Sequence, residues 1–491
     1  MRSTDDSRRL CVIGASQRTV RDGNAPEPLV SWAQRAREAA DSAGVDCVLP
    51  HIDSLQIVYC QSWPYDDPVG RLATALGAAP RHRVYSGIGG TTPQDLVNRT
   101  SVAMQRGELD LALICSAEAL ATVRVAKKNG ERLPWSHRKS TPFPWEPPHP
   151  AELAHEVVQA WETFPLWDTA RRARLGSSLP DDAAEAAQMM ATMTGVAATN
   201  PHAWRPTVLD AATVGTATAD NRYVGWPYTK HEVAVMDVDM SAALLVATAE
   251  KADSLGVSED RRLYLSGWAY AEDPASIAER LDLSRSAAMA VTARHALSAA
   301  GVGVDDIDAF DLYSCFPSSV RLACDAIGLE LDDPRGLTVT GGLPYAGGPA
   351  SAYIVHAIAT AFDRFGENPG RALLTGVGMH MAKHVAAVWS STPGTSTRQA
   401  DLAALQAEVD AAQMREPLLT TWAGPATVRA YTVAHGRDNV PTQGLVVLDT
   451  ADGRALARVH EQDLLLDAES RELVGTDVMV TTDGRCNEAR W

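Results

Sequence analysis

The sequence repeats itself, and this internal repeat limits the possible fold more than any other feature. Residues 36–45 read AREAADSAGV and residues 293–302 read ARHALSAAGV. Each decapeptide precedes an Ile-Asp step and a strand that ends in Tyr-Cys or Tyr-Ser-Cys, and then a glycine pair, a helix and an apolar strand. Matched elements stay roughly 255 to 263 residues apart throughout. Several matches in one order at nearly one offset indicate two diverged copies of a single unit.

Each copy alternates strands with helices. Apolar runs bounded by glycine predict buried strands, and alanine-rich stretches with helical spacing predict the helices between them. The run LDLALICS at 109–116 is too apolar to have a wet face, which indicates a largely parallel sheet covered by helices, an α/β fold. The predicted strands are 10–14, 52–60, 109–116 and 372–378, and the predicted helices are 29–43, 93–106 and 351–365.

The chain divides into four parts. The first copy comprises residues 1–123 and 222–255, the second comprises residues 256–395, and residues 124–221 are an insertion in the first copy. A Ser/Thr/Gly-rich stretch, residues 390–397, is predicted to be a linker. The remaining part, residues 400–491, is β-rich, and its strand pattern fits a small β-barrel of the oligonucleotide/oligosaccharide-binding (OB) type. Its predicted elements are a helix at 402–414 and strands at 426–434, 443–448, 455–460 and 473–481.

The charge balance limits the partners. The chain has 61 acidic residues against 44 Lys and Arg, a formal net charge of −17, so its surface repels nucleic acid and anionic lipid. No apolar run is long enough to cross a membrane, and the polar start, residues 1–9, lacks the apolar core of a signal peptide. Seven scattered cysteines without a Cys-x-x-Cys motif indicate reduced thiols. We therefore expect a cytoplasmic protein, in which a local basic pocket for a phosphorylated ligand is still possible.

Four short motifs carry a family resemblance. They are GGTTP at 89–93, YSCF at 313–316, GGLPYAGGPA at 341–350 and LLTGVGM at 373–379. Together with the duplication they resemble the thiolase superfamily, above all the sterol-carrier-type thiolases and the actinobacterial thiolase-like proteins type 1, which also carry an additional C-terminal domain. The resemblance implies a duplicated, five-layered αβαβα fold with the site between the halves and an acyl-CoA substrate. Thiolases are usually dimers or tetramers, and an additional domain can cover that face, so we expect a monomer or a homodimer.

Thiolase chemistry needs four groups, and this sequence changes each of them. The nucleophilic cysteine sits at a helix N-terminus, where the helix dipole lowers its pKa, and it falls on Gly90. The histidine of the Gly-His-Pro turn falls on Gly348, and the residue that holds an oxyanion-hole water falls on Tyr313. The second cysteine falls on Leu374, or on Thr375 in the neighbouring register. We therefore expect weak or no thiolysis from this relative of acyltransferases.

The polar groups that remain are candidates for catalysis or binding. Tyr313 can orient a carbonyl oxygen or act as a general acid or base, and Tyr345 offers a second phenol. Cys315 is a conceivable substitute nucleophile. The residues expected to line the site of coenzyme A or its acyl chain are Gly90, Thr91, Phe316, Gly347, Gly348, Asn221 and Trp226.

Two histidines follow the last glycine turn. His380 and His384 are spaced i, i+4, and on a helix they would share one face, a spacing that can bind a metal. No carboxylate lies near them in sequence, so we expect a pocket or packing role and no metal. His380 follows the turn closely enough to face the cleft, and it joins the candidate catalytic residues.

Three functions are compatible with these residues. The first is a protein that binds a CoA thioester, coenzyme A or acyl-CoA, as a ligand but has lost ordinary thiolysis and has no tightly bound cofactor. The second is a carbon–carbon lyase of retro-aldolase type on a hydroxyacyl-CoA. Some thiolase-fold proteins resemble retro-aldolases that use tyrosines in such places and pair with a small OB-fold partner chain. Here Tyr313 would act, and the fused barrel would stand in for that partner. The third is a carrier or scaffold without catalysis.

Overall fold

A computed structural model describes residues 7–136, 139, 148–394 and 401–491. The predicted linker at 390–397 lies partly outside these described residues. In the first copy of the repeat the chain forms β1 (Leu10–Thr19), α1 (Pro28–Ala43), β2 (Ser54–Ile57), α2 (Pro68–Leu76), β3 (His82–Tyr85), α3 (Thr92–Gln105), β4 (Leu111–Ala119) and α4 (Leu120–Asn129).

The insertion follows α4 and is mostly helical. It contains α5 (Pro150–Ala154), α6 (Ala160–Leu175), α7 (Leu179–Thr199), α8 (Ala211–Gly215), β5 (Tyr223–Trp226) and β6 (Tyr228–Thr229). The chain then returns to the first copy with β7 (Asp239–Thr248) and α9 (Ala249–Ser254). The second copy comprises β8 (Leu263–Glu272), α10 (Ala287–Ala300), β9 (Ala309–Asp311), α11 (Pro317–Ile327), α12 (Tyr353–Glu367), β10 (Arg371–Gly378) and β11 (Lys383–Ser390).

The strand order shows the duplication directly. The nine strands run β3-β2-β4-β7-β1-β8-β11-β10-β9, so the order β2-β4-β7-β1 of the first copy is mirrored by β9-β10-β11-β8 in the second. The copies meet where β1 pairs antiparallel with β8, through Cys11 with Tyr264 and Val12 with Leu263. Among the described strands of this nine-stranded sheet, only the pairs β2/β3, β2/β4 and β9/β10 are parallel. The predicted largely parallel sheet is therefore wrong, because β7 and β11 each return antiparallel to the strand beside them, and apolar runs alone do not reveal strand direction.

The helices form three layers around the two halves of the sheet. Helix α1 packs on β1, β4 and β7, and α10 packs on β8 and β11, which covers the outer faces. Helices α3 and α12 contact each other and lie between the halves: α3 contacts β1 and β11, and α12 contacts β1, β7, β8 and β10. The five-layered αβαβα arrangement is thus confirmed. It places the N-termini of α3 and α12 together in the central layer.

The repeated decapeptide has a packing reason. A Cβ atom at Gly14 of β1 would lie within 3.0 Å of the backbone of α1, and one at Gly267 of β8 would lie 2.6 Å from the amide nitrogen of Ala300 in α10. Both strands therefore need glycine, and both helices present alanines to them. Small residues on both surfaces bring helix and strand close together in each copy.

The C-terminal part is a closed barrel. Its elements are α13 (Leu402–Ala412), β12 (Leu418–Leu419), β13 (Gly424–His435), β14 (Pro441–Thr450), β15 (Gly453–Val459), α14 (Gln462–Ser470), β16 (Asp477–Thr482) and β17 (Asn487–Arg490). Strands β13-β14-β15-β17-β16 pair in a ring that closes from β16 back to β13, and β15 and β17 are parallel. Along the chain, α14 lies between β15 and β16. The OB-like barrel is confirmed. Helix α14 and strand β17 were not predicted.

The barrel is joined to the insertion rather than tethered beside it. Strand β5 extends the barrel sheet by pairing with β13, through Trp226 with Val433 and Gly225 with Ala434. The predicted boundary at residue 222 assigns β5 and β6 to the first copy, whereas in the structure they belong to the barrel sheet.

No helix of the described residues combines the length and apolar character needed to span a membrane.

Candidate functional site

The site begins at the N-terminus of α3, where Gly90 meets Tyr313. A Cβ atom at Gly90 would lie 2.5 Å from Cζ of Tyr313, and closer still to the phenol oxygen and to the carbonyl oxygen of Val377. Real Cβ atoms essentially never approach other heavy atoms within 3.0 Å. The phenol of Tyr313 therefore occupies the space that any side chain at position 90 would need.

Contacts with Tyr353 and Thr375 hold Tyr313 in place. Its side chain is 5% exposed, its ring meets the ring of Tyr353 edge-on with centroids 5.6 Å apart, and its backbone N–H donates to Oγ1 of Thr375 at 2.9 Å. Burial raises the pKa of Tyr313 far above its ordinary value, and the neighbouring Cys315 adds to the shift. At neutral pH the phenol is protonated, so it can donate a hydrogen bond but cannot act as a base, and it is a weaker acid than an exposed tyrosine.

A buried aspartate anchors Tyr353, and the sequence reasoning missed it. Oδ1 of Asp311 accepts from the phenol of Tyr353 at 2.7 Å, and Oδ2 accepts from Oγ1 of Thr338 and from the backbone N–H groups of Val339 and Thr340 at 2.9 to 3.1 Å. Burial raises the pKa of Asp311. An aspartate inside the apolar run AFDLY was the available signal. This hydrogen-bond network fixes the position of Tyr353, whose ring contacts Tyr313.

Cys315 and Phe316 lie at the start of α11. The thiol of Cys315 lies 3.6 Å from Oγ of Ser319, and burial raises its pKa to about 12, so it is protonated at neutral pH. Phe316 stacks on Phe164 of α6 with ring centroids 4.4 Å apart. The insertion is therefore packed directly on this turn.

The glycine turn 347–348 is filled from the first copy. A Cβ at Gly347 would lie 2.5 Å from Sδ of Met240, and one at Gly348 would lie 3.3 Å from the carbonyl oxygen of Val235. The backbone N–H of Gly348 donates to that same oxygen at 2.9 Å, and the N–H of Ala234 donates to the carbonyl of Cys315 at 2.9 Å. Residues 234–235 thus tie the turn of Cys315 to the glycine turn.

Tyr345 and Arg205 lie beside that turn. The phenol of Tyr345 is 1% exposed and has no hydrogen-bond partner among the described residues, and burial raises its pKa. The backbone N–H of Arg205 donates to the carbonyl of Tyr345 at 2.8 Å. The half-buried guanidinium of Arg205 pairs with no carboxylate of the described part of the chain, and burial lowers its pKa. An unpaired, partly desolvated cation next to an unsatisfied phenol is a suitable place for an anion.

His380 lies near the insertion, and it does not share a helix with His384. His380 sits in the turn between β10 and β11, whereas His384 is inside β11 and pairs across to Val377. Nδ1 of His380 lies 2.9 Å from Oγ1 of Thr163 in α6, and burial lowers its pKa to about 4. His384 lies 3.5 Å from Asp273. The chain makes a hairpin after the glycine-rich strand, so the two rings never share a helix face. No cluster of three or more potential metal ligands occurs in the described ranges.

The remaining predicted residues divide into two groups. Thr91 follows Gly90 and lines a groove of 1240 Å³, together with Thr92 and Met379. Asn221 and Trp226 lie away from this point: the amide of Asn221 donates to the carbonyls of Thr213, Val214 and Thr216, and Trp226 stacks on Tyr431 of the barrel at 5.6 Å. The structure therefore brings together Gly90, Thr91, Tyr313, Cys315, Phe316, Tyr345, Gly347 and Gly348.

Helix α7 of the insertion covers the site. A Cβ at Gly341 would lie 2.5 Å from Cβ of Ala197, and one at Gly342 would lie 3.0 Å from Sδ of Met193. The amide of Asn200 donates to the carbonyl of Thr340 at 2.8 Å. The helix therefore rests on the first two residues of the motif GGLPYAGGPA.

Comparison with known proteins agrees with this geometry. A monomeric SCP2-thiolase-like protein type 1 from Mycobacterium smegmatis matches with 32% sequence identity and a TM-score of 0.86, and the match covers 99% of each chain. The dimeric peroxisomal thiolase of Saccharomyces cerevisiae matches with 13% identity and a TM-score of 0.57, over 79% of this chain and 98% of that one. An Ltp2–ChsH2(DUF35) aldolase matches with 14% identity and a TM-score of 0.59, over 78% and 98%. The last two likenesses show the fold alone.

The C-terminal part has its own match. The family model of the thiolase-like protein type 1 additional C-terminal domain matches residues 404–485, which include most of α13 and four of the five barrel strands. No curated protein sequence matches the chain. The duplicated halves and the glycine turns before both central helices define a member of the thiolase superfamily. Within that superfamily, the chain belongs to the SCP2-thiolase-like proteins type 1.

Proposed function

We propose that this chain binds a CoA thioester between its two halves and does not transfer the acyl group through a cysteine. One observation carries the chemical half of the proposal: the phenol of Tyr313 fills the position of any nucleophile at residue 90. A thiolase reaction needs a thiolate there, because the acyl-enzyme forms on that sulfur. Thiolysis is therefore expected to be negligible.

No other group of the site takes over the nucleophilic role. The thiol of Cys315 is protonated at neutral pH because burial raises its pKa to about 12, and a protonated thiol is a poor nucleophile. By the family resemblance, Gly348 stands where the histidine that would activate a thiol is expected, and glycine supplies no group that could accept a proton. His380 remains neutral and hydrogen-bonded to Thr163.

The binding half of the proposal is supported by Arg205 and Tyr345. Coenzyme A carries phosphates, and the protein as a whole carries a net charge of −17 that opposes them. A guanidinium without a carboxylate partner in the described part of the chain, next to a buried phenol without an acceptor, would attract a phosphate locally.

Calorimetry and a thiolysis assay test the two halves separately. Coenzyme A and acetyl-CoA should bind the full chain, and Arg205→Met should weaken both about tenfold, the loss expected from one charge-assisted hydrogen bond. Arg437→Met, which removes an exposed arginine of the barrel, is the matched control and should leave the affinity unchanged. Acetoacetyl-CoA with free coenzyme A should give no detectable thiolysis. Brisk turnover would disprove the chemical half, and the absence of binding at millimolar coenzyme A would favour a scaffold.

A carbon–carbon lyase is the second candidate, and the state of Tyr313 favours it. A buried, protonated phenol at the N-terminus of a helix can donate a hydrogen bond to the thioester oxygen, which gains negative charge as the carbon–carbon bond breaks, while the substrate's hydroxyl proton passes to water. Under this alternative, Tyr313→Phe abolishes aldehyde release from a hydroxyacyl-CoA and leaves the affinity for coenzyme A intact. If no hydroxyacyl-CoA is cleaved by the unmodified chain, the lyase is excluded and the binding proposal stands alone.

A further inference from the structure

A buried ionic junction joins the insertion to the second copy. Arg321 of α11 is 1% exposed, and its Nη1 lies 3.3 Å from Oδ1 of Asp168 in α6 and 3.1 Å from Oδ1 of Asp182 in α7. Its Nη2 donates to the backbone carbonyl of Asp182 at 2.6 Å. Both aspartates are buried. One guanidinium therefore serves two carboxylates that water does not reach.

Arg321 is shared by two aspartates, and the neighbouring described groups supply no further free positive charge for them. Tyr228 donates to Oδ2 of Asp168 at 2.5 Å, but the Oδ1 atoms of Asp168 and Asp182 have no hydrogen-bond partner in the described part of the chain. The other charged or titratable groups that face the junction are Arg171, Arg172, Glu185, Glu232, Asp325, Tyr431 and Glu472.

The two nearest arginines are already engaged. Arg171 pairs with Asp325 at 2.9 Å and Arg172 pairs with Glu472 of the barrel at 2.9 Å. Glu232 adds a further buried carboxyl, and burial raises its pKa to about 7. Burial likewise raises the pKa of Asp182 to about 6, against the pull of Arg321. With both aspartates ionised, the junction has more negative than positive charge.

Helix α7 carries this junction to the ligand site. Asp182 lies in its first turn, which begins at Leu179. At its other end, Met193 and Ala197 rest on Gly342 and Gly341 of the glycine-rich motif. A loss of packing at the start of α7 therefore changes how the helix covers the site.

We propose that Asp182 is a protonation-dependent tie that holds α7 over the ligand site, so that access to the site depends on pH. This proposal rests on the proposed binding of a CoA thioester. When Asp182 is neutral, Arg321 pairs with Asp168 alone and the junction is balanced. When Asp182 is ionised, the buried excess charge favours the open form, in which water solvates the carboxylate.

The sign and size follow from linkage. The pKa of Asp182 is raised in the closed form and ordinary in the open form, so the closed form binds the proton more tightly. Opening is therefore least favourable at acid pH and becomes more favourable as pH rises from about 4 through about 6. Between about pH 5 and about pH 7.5, the opening constant of α7 should rise about tenfold.

Hydrogen exchange of the full chain tests the tie. Amides of α7 should exchange about tenfold faster at about pH 7.5 than at about pH 5, after correction for the intrinsic exchange rate. Asp182→Asn should remove this dependence, whereas Asp181→Asn, which changes the exposed neighbour, should keep it. A flat profile in the unmodified chain, or the same profile in Asp182→Asn, would overturn the proposal.

Binding kinetics test the regulatory role. The association rate of acetyl-CoA should follow the opening of α7, rising with pH in the unmodified chain and in Asp181→Asn but not in Asp182→Asn. A pH-independent rate combined with pH-dependent exchange would overturn the regulation. If acetyl-CoA fails to bind at either pH, the proposed function fails, and the exchange experiment still decides whether the tie exists.

Discussion

At Gly90 the chain has no side chain, and the phenol of Tyr313 fills the space that one would need. The two residues come from different copies of the repeat, more than two hundred positions apart in sequence. Together they leave no space for a side chain at position 90. A buried phenol under a helix N-terminus also needs an ordered floor, which Tyr353 and Asp311 supply.

Gly90→Ala should destabilise the fold, because the new methyl group overlaps Tyr313 and the carbonyl oxygen of Val377. Overpacking of this kind costs roughly 1–3 kcal/mol. Denaturant unfolding measures the loss. Gly195→Ala is the matched control: Gly195 lies inside α7 with open space around it, so alanine should raise the free energy of unfolding by up to about 1 kcal/mol. Equal effects of the two changes would contradict the overlap.

His356 should make the protein sensitive to acid. It is 2% exposed on α12, its Nδ1 lies 3.2 Å from Oε1 of Gln17, and burial lowers its pKa to about 3. The unfolded chain binds the proton first, so the stability contributed by the neutral ring is present above about pH 6.5 and is lost as pH falls toward about 3. His356→Gln should flatten the acid limb of a stability–pH curve, and His51→Gln, an exposed change, should not. An unchanged acid limb would show that His356 is not responsible.

At the scale of the elements, both copies follow one packing rule: a glycine in a strand lets the backbone of a helix approach closely. Helices α1 and α10 approach β1 and β8 closely because Gly14 and Gly267 leave room for their backbones. The helices around the candidate site differ more between the two copies. Helices α3 and α12 form the central layer, and α7 of the insertion covers the glycine turn; the described residues of the second copy contain no counterpart of α7.

The packing rule predicts equal effects at the two glycines. Gly14→Ala and Gly267→Ala should each lower the thermal midpoint by a similar amount, since each methyl group would meet helix backbone, which cannot move aside as a side chain can. A loss of about 2 kcal/mol or more is expected for each. Calorimetry of the full chain measures both. Loss at only one glycine would mean that the helix of the tolerant copy can shift outward.

At the scale of the whole molecule, the barrel and the insertion fold against each other with buried polar contacts. Arg458 of β15 lies 3.1 Å from Glu162 of α6 and donates to the carbonyl of His155. Oγ1 of Thr169 contacts the backbone of Tyr431. Contacts of this kind make the barrel part of the cover over the site, and we expect the full chain to unfold without a separate transition of the barrel.

Arg458→Met should therefore be strongly destabilising, because it leaves Glu162 buried without its cation. Removing one partner of a buried pair costs about 3–5 kcal/mol. The double change Glu162→Gln with Arg458→Met should recover much of the loss. Arg471→Met, at a pair with Asp467 that is largely exposed, should cost less than about 1 kcal/mol. If the double change is as unstable as Arg458→Met alone, the buried charge of Glu162 is not the cause.

The sequence by itself determined the duplication, the layered α/β architecture and the barrel, and it placed glycine at positions 90 and 348. These features follow from local sequence patterns, namely hydrophobic periodicity, glycine pairs and the positions of short motifs. The position of the site between the two halves is an expectation from the family resemblance and not from any local pattern.

Only the tertiary structure decided the strand directions, the hairpin that separates His380 from His384, and the sites of Asn221 and Trp226 beside the barrel. It alone placed Tyr313 in the space at Gly90 and Asp182 against Arg321. The physical reason is the same in each case. Such contacts join residues that are far apart in the chain, and their energies depend on burial and distance, which no local pattern records.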